Sequence, residues 1–172
     1  MQGGPASFRE VQGFRQWWLW VLLLVTTLGT IGLFGYGIFV QIIQGTPWGD
    51  KPMSDAALLA TGIGTTILVV GLTALLLSAR LVTEVRSDGL HVRFFPMKWK
   101  AIPYETIASY HTRTYRPVRD YGGWGIRWGR DGKAYIIVGN EGLQLLLGDG
   151  EKILIGSQRP QELEAALGAW KR

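Results

Sequence analysis

Three neighbouring residues come closest to an acid–base or nucleophilic set: Ser109, Tyr110 and His111, consecutive in a stretch with strand character. On a strand, successive side chains point to opposite faces, so the three do not converge as a triad must. Glu105, Asp120 and Glu141 form no pair spaced for general acid and base work. The two histidines, His91 and His111, lack the close His, Asp or Glu companions that a metal needs. The chain has no cysteine, which excludes disulfides, thiolate nucleophiles and sulfur-ligated metals. The run YGGWGIRWGRDG, residues 121–132, is glycine-rich but lacks the Gly-Lys-Ser/Thr and the strand-to-helix setting of a phosphate loop. Its glycines fit a bulge or a close approach of chains. No catalytic, cofactor or metal residue is assigned, and the chain is not expected to be an enzyme.

A second kind of chemistry is better represented. Arg113, Arg116, Arg119 and Arg127 are interleaved with Trp124 and Trp128, and Trp99 stands between Lys98 and Lys100. Exposed Trp and Arg are the residues that anchor interfaces, and basic residues among aromatics suit an acidic protein face or an anionic lipid surface. The same pattern suits an ordinary solvated face. From residue 80 onward Lys and Arg number fifteen against ten Asp and Glu, so the net charge of +5 belongs to this half of the chain. Nucleic acid is not an expected partner of a domain tethered to a membrane. The segment FFPMKWK, residues 94–100, is either a covered loop or one that dips into lipid headgroups.

The elements that position these residues begin with two uncharged runs. Residues 17–43 and 56–79 are 27 and 24 residues long, enough to cross a hydrocarbon layer of roughly 30 Å. The first is too long for a signal-peptide core and has no small-residue cleavage site behind it. Residues 44–55 between them carry Pro47, Gly49 and Pro52, which makes the runs an antiparallel transmembrane hairpin. Arg9 and Arg15 precede it; Arg80, Arg86, Arg93, Lys98 and Lys100 follow it; the connecting loop has Lys51 beside Asp50 and Asp55. By the positive-inside rule both termini and the second half are cytoplasmic, in an inner or cytoplasmic cell membrane. Ala57, Gly64, Gly71 and Ser78 recur every seven residues, and Thr30 and Gly37 have compatible spacing in the first run. Such seams let helices approach closely, either each other or another protein or flat cofactor. Neither run holds an ionisable residue, so transport by this chain alone is not expected.

Residues 81–87 and 90–95 alternate apolar and polar around Asp88-Gly89, a strong hairpin signal. Further strands are predicted over 104–114, 133–138, 143–147 and 152–155, as an antiparallel meander. A closing helix carries Leu163, Ala166, Leu167 and Trp170 on one face, with Lys171 and Arg172 at its end. Residues 83–96 (TEVRSDGLHVRFFP), 101–110 (AIPYETIASY) and 154–167 (LIGSQRPQELEAAL) resemble the prokaryotic membrane-anchored pleckstrin-homology-like (PH-like) domains of unknown function, over residues 81–170. The resemblance implies an α+β membrane protein: an N-terminal segment 1–16, a hairpin 17–79, and a PH-like curved antiparallel sheet or barrel over 80–172 closed by a C-terminal helix. It brings no catalytic signature. Lipid-binding members of the wider superfamily hold phosphoinositide phosphates with Lys and Arg on the first two strands and their loop, and the two-residue Asp88-Gly89 turn is too short and acidic for that pocket.

The expected role is a non-catalytic accessory or scaffold subunit. Its hairpin packs against a larger membrane complex, respiratory, photosynthetic or secretory, and its domain binds the cytoplasmic face. The alternative is a membrane-surface sensor of anionic lipid or peptide.

Overall fold

The computed structural model describes residues 6–14 and 16–170; Arg15 of the charge count, and Lys171 and Arg172 past the last helix, lie outside them. The chain divides into a helical unit, Gln16–Leu77, and a mostly β unit made of Met1–Arg15 and Ser78–Arg172.

In the helical unit, α1 (Trp17–Ile38) runs on into a π-helical turn (Phe39–Ile43), and α2 spans Asp55–Ser78. At about 1.5 Å per residue both exceed the roughly 30 Å of a hydrocarbon core. Both are long and apolar enough to cross a membrane. Within α1 and α2 only Gly37, Leu58 and Gly62 are buried, unlike the covered stripe of a water-soluble helix. The connecting loop is held by Gln41, whose amide donates to the Met53 carbonyl (2.8 Å) and the Asp55 carboxylate (2.7 Å). Ser54 caps α2 by accepting from the Ala57 N–H at 3.3 Å, and Asp55 in the first turn complements the helix dipole.

The β unit contains, among the described residues, two sheets. The first has the order β1-β2-β3-β4, from Phe8–Gly13, Arg80–Arg86, Gly89–Phe95 and Lys100–Ile102, all antiparallel. Its edge strand β1 comes from the segment ahead of the first apolar helix, which the sequence reading set apart from the domain. Phe8 pairs with Val85 and Gly13 with Arg80, so the helical unit fills the connection between two paired strands. Arg86 pairs with Gly89, which puts Ser87 and Asp88 at the turn, one residue earlier than the Asp-Gly signal suggests.

The second sheet has the order β5-β8-β9-β7-β6, from Ile107–Thr114, Glu141–Leu147, Lys152–Gly156, Gly132–Ile136 and Gly125–Gly129. Here the predicted meander is corrected. Strand β9 inserts between β8 and β7 and pairs with β7 in parallel, Lys133 to Ile153 through Tyr135 to Ile155. The reason lies in burial: Ile153 and Ile155 enter the core between the sheets while Leu154 enters a second cluster with Tyr115, Tyr121, Ala134 and Ile136. A strand covered on both faces belongs in the centre of a sheet, and its unbroken apolar run does not reveal its partners. The sheets do not close into a barrel. A short helix α3 (Pro117–Tyr121) precedes β6, and α4 (Pro160–Trp170) buries Leu163 and Leu167 in the main core.

The glycines of residues 121–132 allow close approach. A Cβ on Gly132, at φ +89°, would lie 2.1 Å from the Lys152 carbonyl oxygen, and one on Gly129 2.4 Å from that of Asp120.

Strand β1 is fastened to the far end of the chain. The buried Glu10 carboxylate accepts from Ser157 Oγ at 2.5 Å and from the Gln158 N–H at 2.8 Å. Ser157 Oγ in turn accepts from the Arg159 N–H at 3.0 Å, and Gln12 donates to the Gly156 carbonyl at 2.8 Å. Removing a buried acceptor leaves its donors unmade, at about 3 kcal/mol for a charge-assisted pair. Glu10→Ala is therefore expected to lower the unfolding free energy of the detergent-solubilised chain by about that amount, measured by denaturant titration followed by tryptophan fluorescence; an unchanged free energy would contradict the assigned role.

Candidate functional site

The seven basic and aromatic residues singled out in the sequence do not form one surface. Arg113, on β5, is taken up by the fold: it donates to Asp131 Oδ2 at 3.0 Å and Gln144 Oε1 at 3.3 Å. Trp124 packs on the second apolar cluster. Arg116 stands at the N-cap of α3, where its backbone N–H donates to Asp120 Oδ2 at 2.8 Å and its side chain faces solvent. Arg119 on α3 and Arg127 on β6 are exposed, the latter donating from Nε to the Trp124 carbonyl at 2.8 Å. Trp128 is 71% exposed, with Lys133 Nζ 4.8 Å from its ring centre. Cation–π contact at such an exposed site is worth about 0.5–1 kcal/mol. Arg116, Arg119, Arg127 and Trp128 thus remain exposed on α3 and β6, with Arg127 and Trp128, as successive residues of a strand, on opposite faces of it.

Trp99 directly precedes β4 of the first sheet. Arg86 and Arg93 lie 5.2 and 5.8 Å from its ring centre, and His91 meets it edge-on at 6.4 Å. Arg93 also stacks on Phe95 at 5.1 Å and donates from Nε to the Met97 carbonyl at 3.2 Å. Glu84 accepts from Arg86 and pairs with Arg9 at 3.1 Å, and His91 bonds to Asp88 at 2.9 Å. That bond with His91 holds the Asp88 carboxyl below its ordinary range. The Tyr104 hydroxyl donates to the Arg86 carbonyl, and its burial, with the Asp88 charge beside it, pushes the phenol up to about 12. Arg86, Arg93 and Phe95 escaped the sequence reading as a cluster. Period-two alternation places Arg93 and Phe95 on one face, but their meeting with Trp99 needs the β3–β4 pairing.

Of the helix seam, Gly37 receives the Trp48 ring, at 2.6 Å from where a Cβ would stand. Phe34 packs against Gly62, and the Thr27 and Thr73 hydroxyls lie 3.5 Å apart. Gly64 and Gly71 face open space, as do Gly29, Gly32 and Gly35. Ala57 lies in the first turn of α2, Ser78 ends that helix, and Thr30 is half-buried on α1.

A family model matches residues 3–170, taking in β1, both apolar helices and the β unit. The chain belongs to that family, a family of unknown function (DUF6141). No curated protein and no solved structure matches the chain. Because the DUF6141 match begins ahead of Phe8, strand, helical insertion and sheets make one family unit, and β1 is part of it. Among the described residues no group of His, Asp and Glu is placed to hold a metal ion.

The two tryptophans of the second sheet are predicted to behave oppositely. Trp128→Ala leaves the unfolding free energy within about 0.5 kcal/mol, as exposed substitutions do, whereas Trp124→Ala costs about 2 kcal/mol or more by opening the apolar cluster. Chemical denaturation in detergent distinguishes them, and a large loss from Trp128→Ala would contradict its placement.

Proposed function

We propose that this DUF6141 protein is a non-catalytic accessory subunit of a larger membrane protein complex, respiratory, photosynthetic or secretory. The observation that carries the reading is the open glycine faces of the hairpin. Gly64 and Gly71 on α2, and Gly29 and Gly32 on α1, meet nothing within 4 Å. In lipid, helices associate by van der Waals packing, and small residues are where backbones approach. The hairpin's own packing uses Gly37 and Gly62, and the remaining glycines fit helices of another protein.

The register of the first sheet supports a defined topology. Strands β1 and β2 pair residue for residue across the helical insertion. An insertion that crosses a bilayer between two paired strands must cross it an even number of times, and two helices satisfy that. Both ends of the chain and the β unit then lie on one side, the cytoplasmic side by the charge rule. The domain is on this reading a PH-like variant, with a four-stranded sheet, a second sheet and a closing C-terminal helix. The helical hairpin occupies its first strand connection. Arg116, Arg119, Arg127 and Trp128 would meet the cytoplasmic face of the complex. A second reading, a sensor of anionic lipid or peptide, is favoured by Lys133 over the exposed Trp128 ring, a pairing that suits acidic groups.

Purification in mild detergent is expected to recover a stoichiometric membrane partner, and Gly64→Leu with Gly71→Leu to release it while leaving the β unit folded. Recovery of the unaltered protein as a lone monomer would count against the accessory role. Retention of the partner by the double variant would move the contact off this face.

A further inference from the structure

The end of the first sheet from which the chain departs for its apolar helices also carries an apolar turn. Gly13, the last residue of β1, pairs with Arg80, the first of β2, and Arg80 pairs with Phe95, the last of β3. The turn after β3 is closed by the Met97 N–H donating to the Phe94 carbonyl at 2.7 Å. Its tip, Phe95, Pro96 and Met97, is exposed, Met97 by 56%, and Trp99 behind it by 39%. Arg93 fixes the turn from below, through the Met97 carbonyl and the Phe95 and Trp99 rings. Such bracing limits the conformational freedom left to lose on binding.

Chain length alone bounds how far this turn lies from the apolar helices. Helix α2 ends at Ser78 and β2 begins at Arg80, so at most about 7 Å of chain separates them. Neighbouring strands add about 5 Å to reach Phe95. The headgroup layer on each side of a bilayer is itself roughly 5–8 Å deep. An apolar, aromatic tip within that reach matches what interfacial segments present to lipid. Charge points the same way: residues 93–100 hold Arg93, Lys98 and Lys100 and no acid. Among the described residues Lys100 meets Glu151 at 3.4 Å, while no carboxylate lies within ion-pair distance of Arg93 or Lys98.

We infer that the β3–β4 turn seats in the headgroup layer of the membrane that the chain's own helices cross, Phe95, Met97 and Trp99 entering it and Arg93 and Lys98 meeting anionic phospholipid. This seat holds the sheet end against the bilayer surface, separately from any protein bound by the hairpin. It rests on the helices crossing the membrane, and not on the accessory role.

Because the chain has no cysteine, a single spin label can be placed anywhere on it. Met97→Cys, Asn140→Cys in the exposed β7–β8 connection and Leu24→Cys in α1 are each labelled in the full chain, in nanodiscs containing phosphatidylglycerol. Collision with oxygen against a water-soluble nickel chelate reports depth. The expected order is Leu24 deepest, Met97 intermediate with an oxygen-to-nickel ratio several-fold above Asn140, and Asn140 aqueous. Replacing phosphatidylglycerol by phosphatidylcholine is expected to lower the Met97 ratio. A Met97 label as aqueous as Asn140, or one shielded from both reagents by a protein cover, overturns the inference. An aqueous Leu24 label would overturn it together with the membrane reading.

Discussion

Strand β1 is short, lies ahead of the helical insertion, and pairs with a strand that begins some seventy residues later. That pairing is the constraint on which the arrangement depends. Without β1 the inner face of β2 would leave Leu81, Thr83 and Val85 with an open edge beside them; with it, Phe8, Glu10 and Gln12 complete the covered face. The cost of closing so long a loop grows only slowly with its length, so the helical insertion is tolerated thermodynamically. What holds β1 is its opposite anchorage: the Glu10 carboxylate bridges to Ser157 and Gln158, and Arg159 donates to the Arg9 carbonyl at 2.9 Å. A charged acceptor that is buried and doubly satisfied ties the beginning of the chain to the start of α4.

Two consequences follow. The chain leaves the first sheet for the helical insertion at Gly13 and returns to it at Arg80, two residues paired with each other. The exposed basic and aromatic side chains then divide between two sheets. Trp99 and Arg93 stand with the sheet whose first two strands the helices separate, and Trp128 and Arg127 on the other, with Arg119 on the short helix α3 ahead of β6. On the reading proposed here, the first group faces lipid and the second faces a partner.

Legibility in the sequence followed the range of the interaction. The apolar helices, the β2–β3 hairpin and the apolar face of α4 depend on neighbours a few residues apart, and their periodicity revealed them. Strand β1 did not show itself, because six residues with two charges, FREVQG, become a strand only by pairing with β2. The parallel pairing of β9 with β7 was hidden by the unbroken apolar run Ile153, Leu154 and Ile155, since a strand buried on both faces has no alternation to read. Within the basic and aromatic set, spacing could not separate Arg113, drawn inward by Asp131 and Gln144, from Arg119, left in solvent. The glycine seams were visible, but which glycines the hairpin itself consumes depended on where Phe34 and Trp48 lie.

The pairing of β1 with β2 across the insertion is tested most directly by a disulfide between them. Val11 and Val82 are paired residues on the outer face of the first sheet, with Cβ atoms expected about 5 Å apart. Val11→Cys with Val82→Cys, in a chain otherwise free of cysteine, should cross-link in native membranes under mild oxidation and close a loop that contains both apolar helices. Near-complete formation of that bond is the predicted result. Two thiols that each react with a maleimide yet do not join, or that are reached only from opposite sides of the membrane, would contradict it.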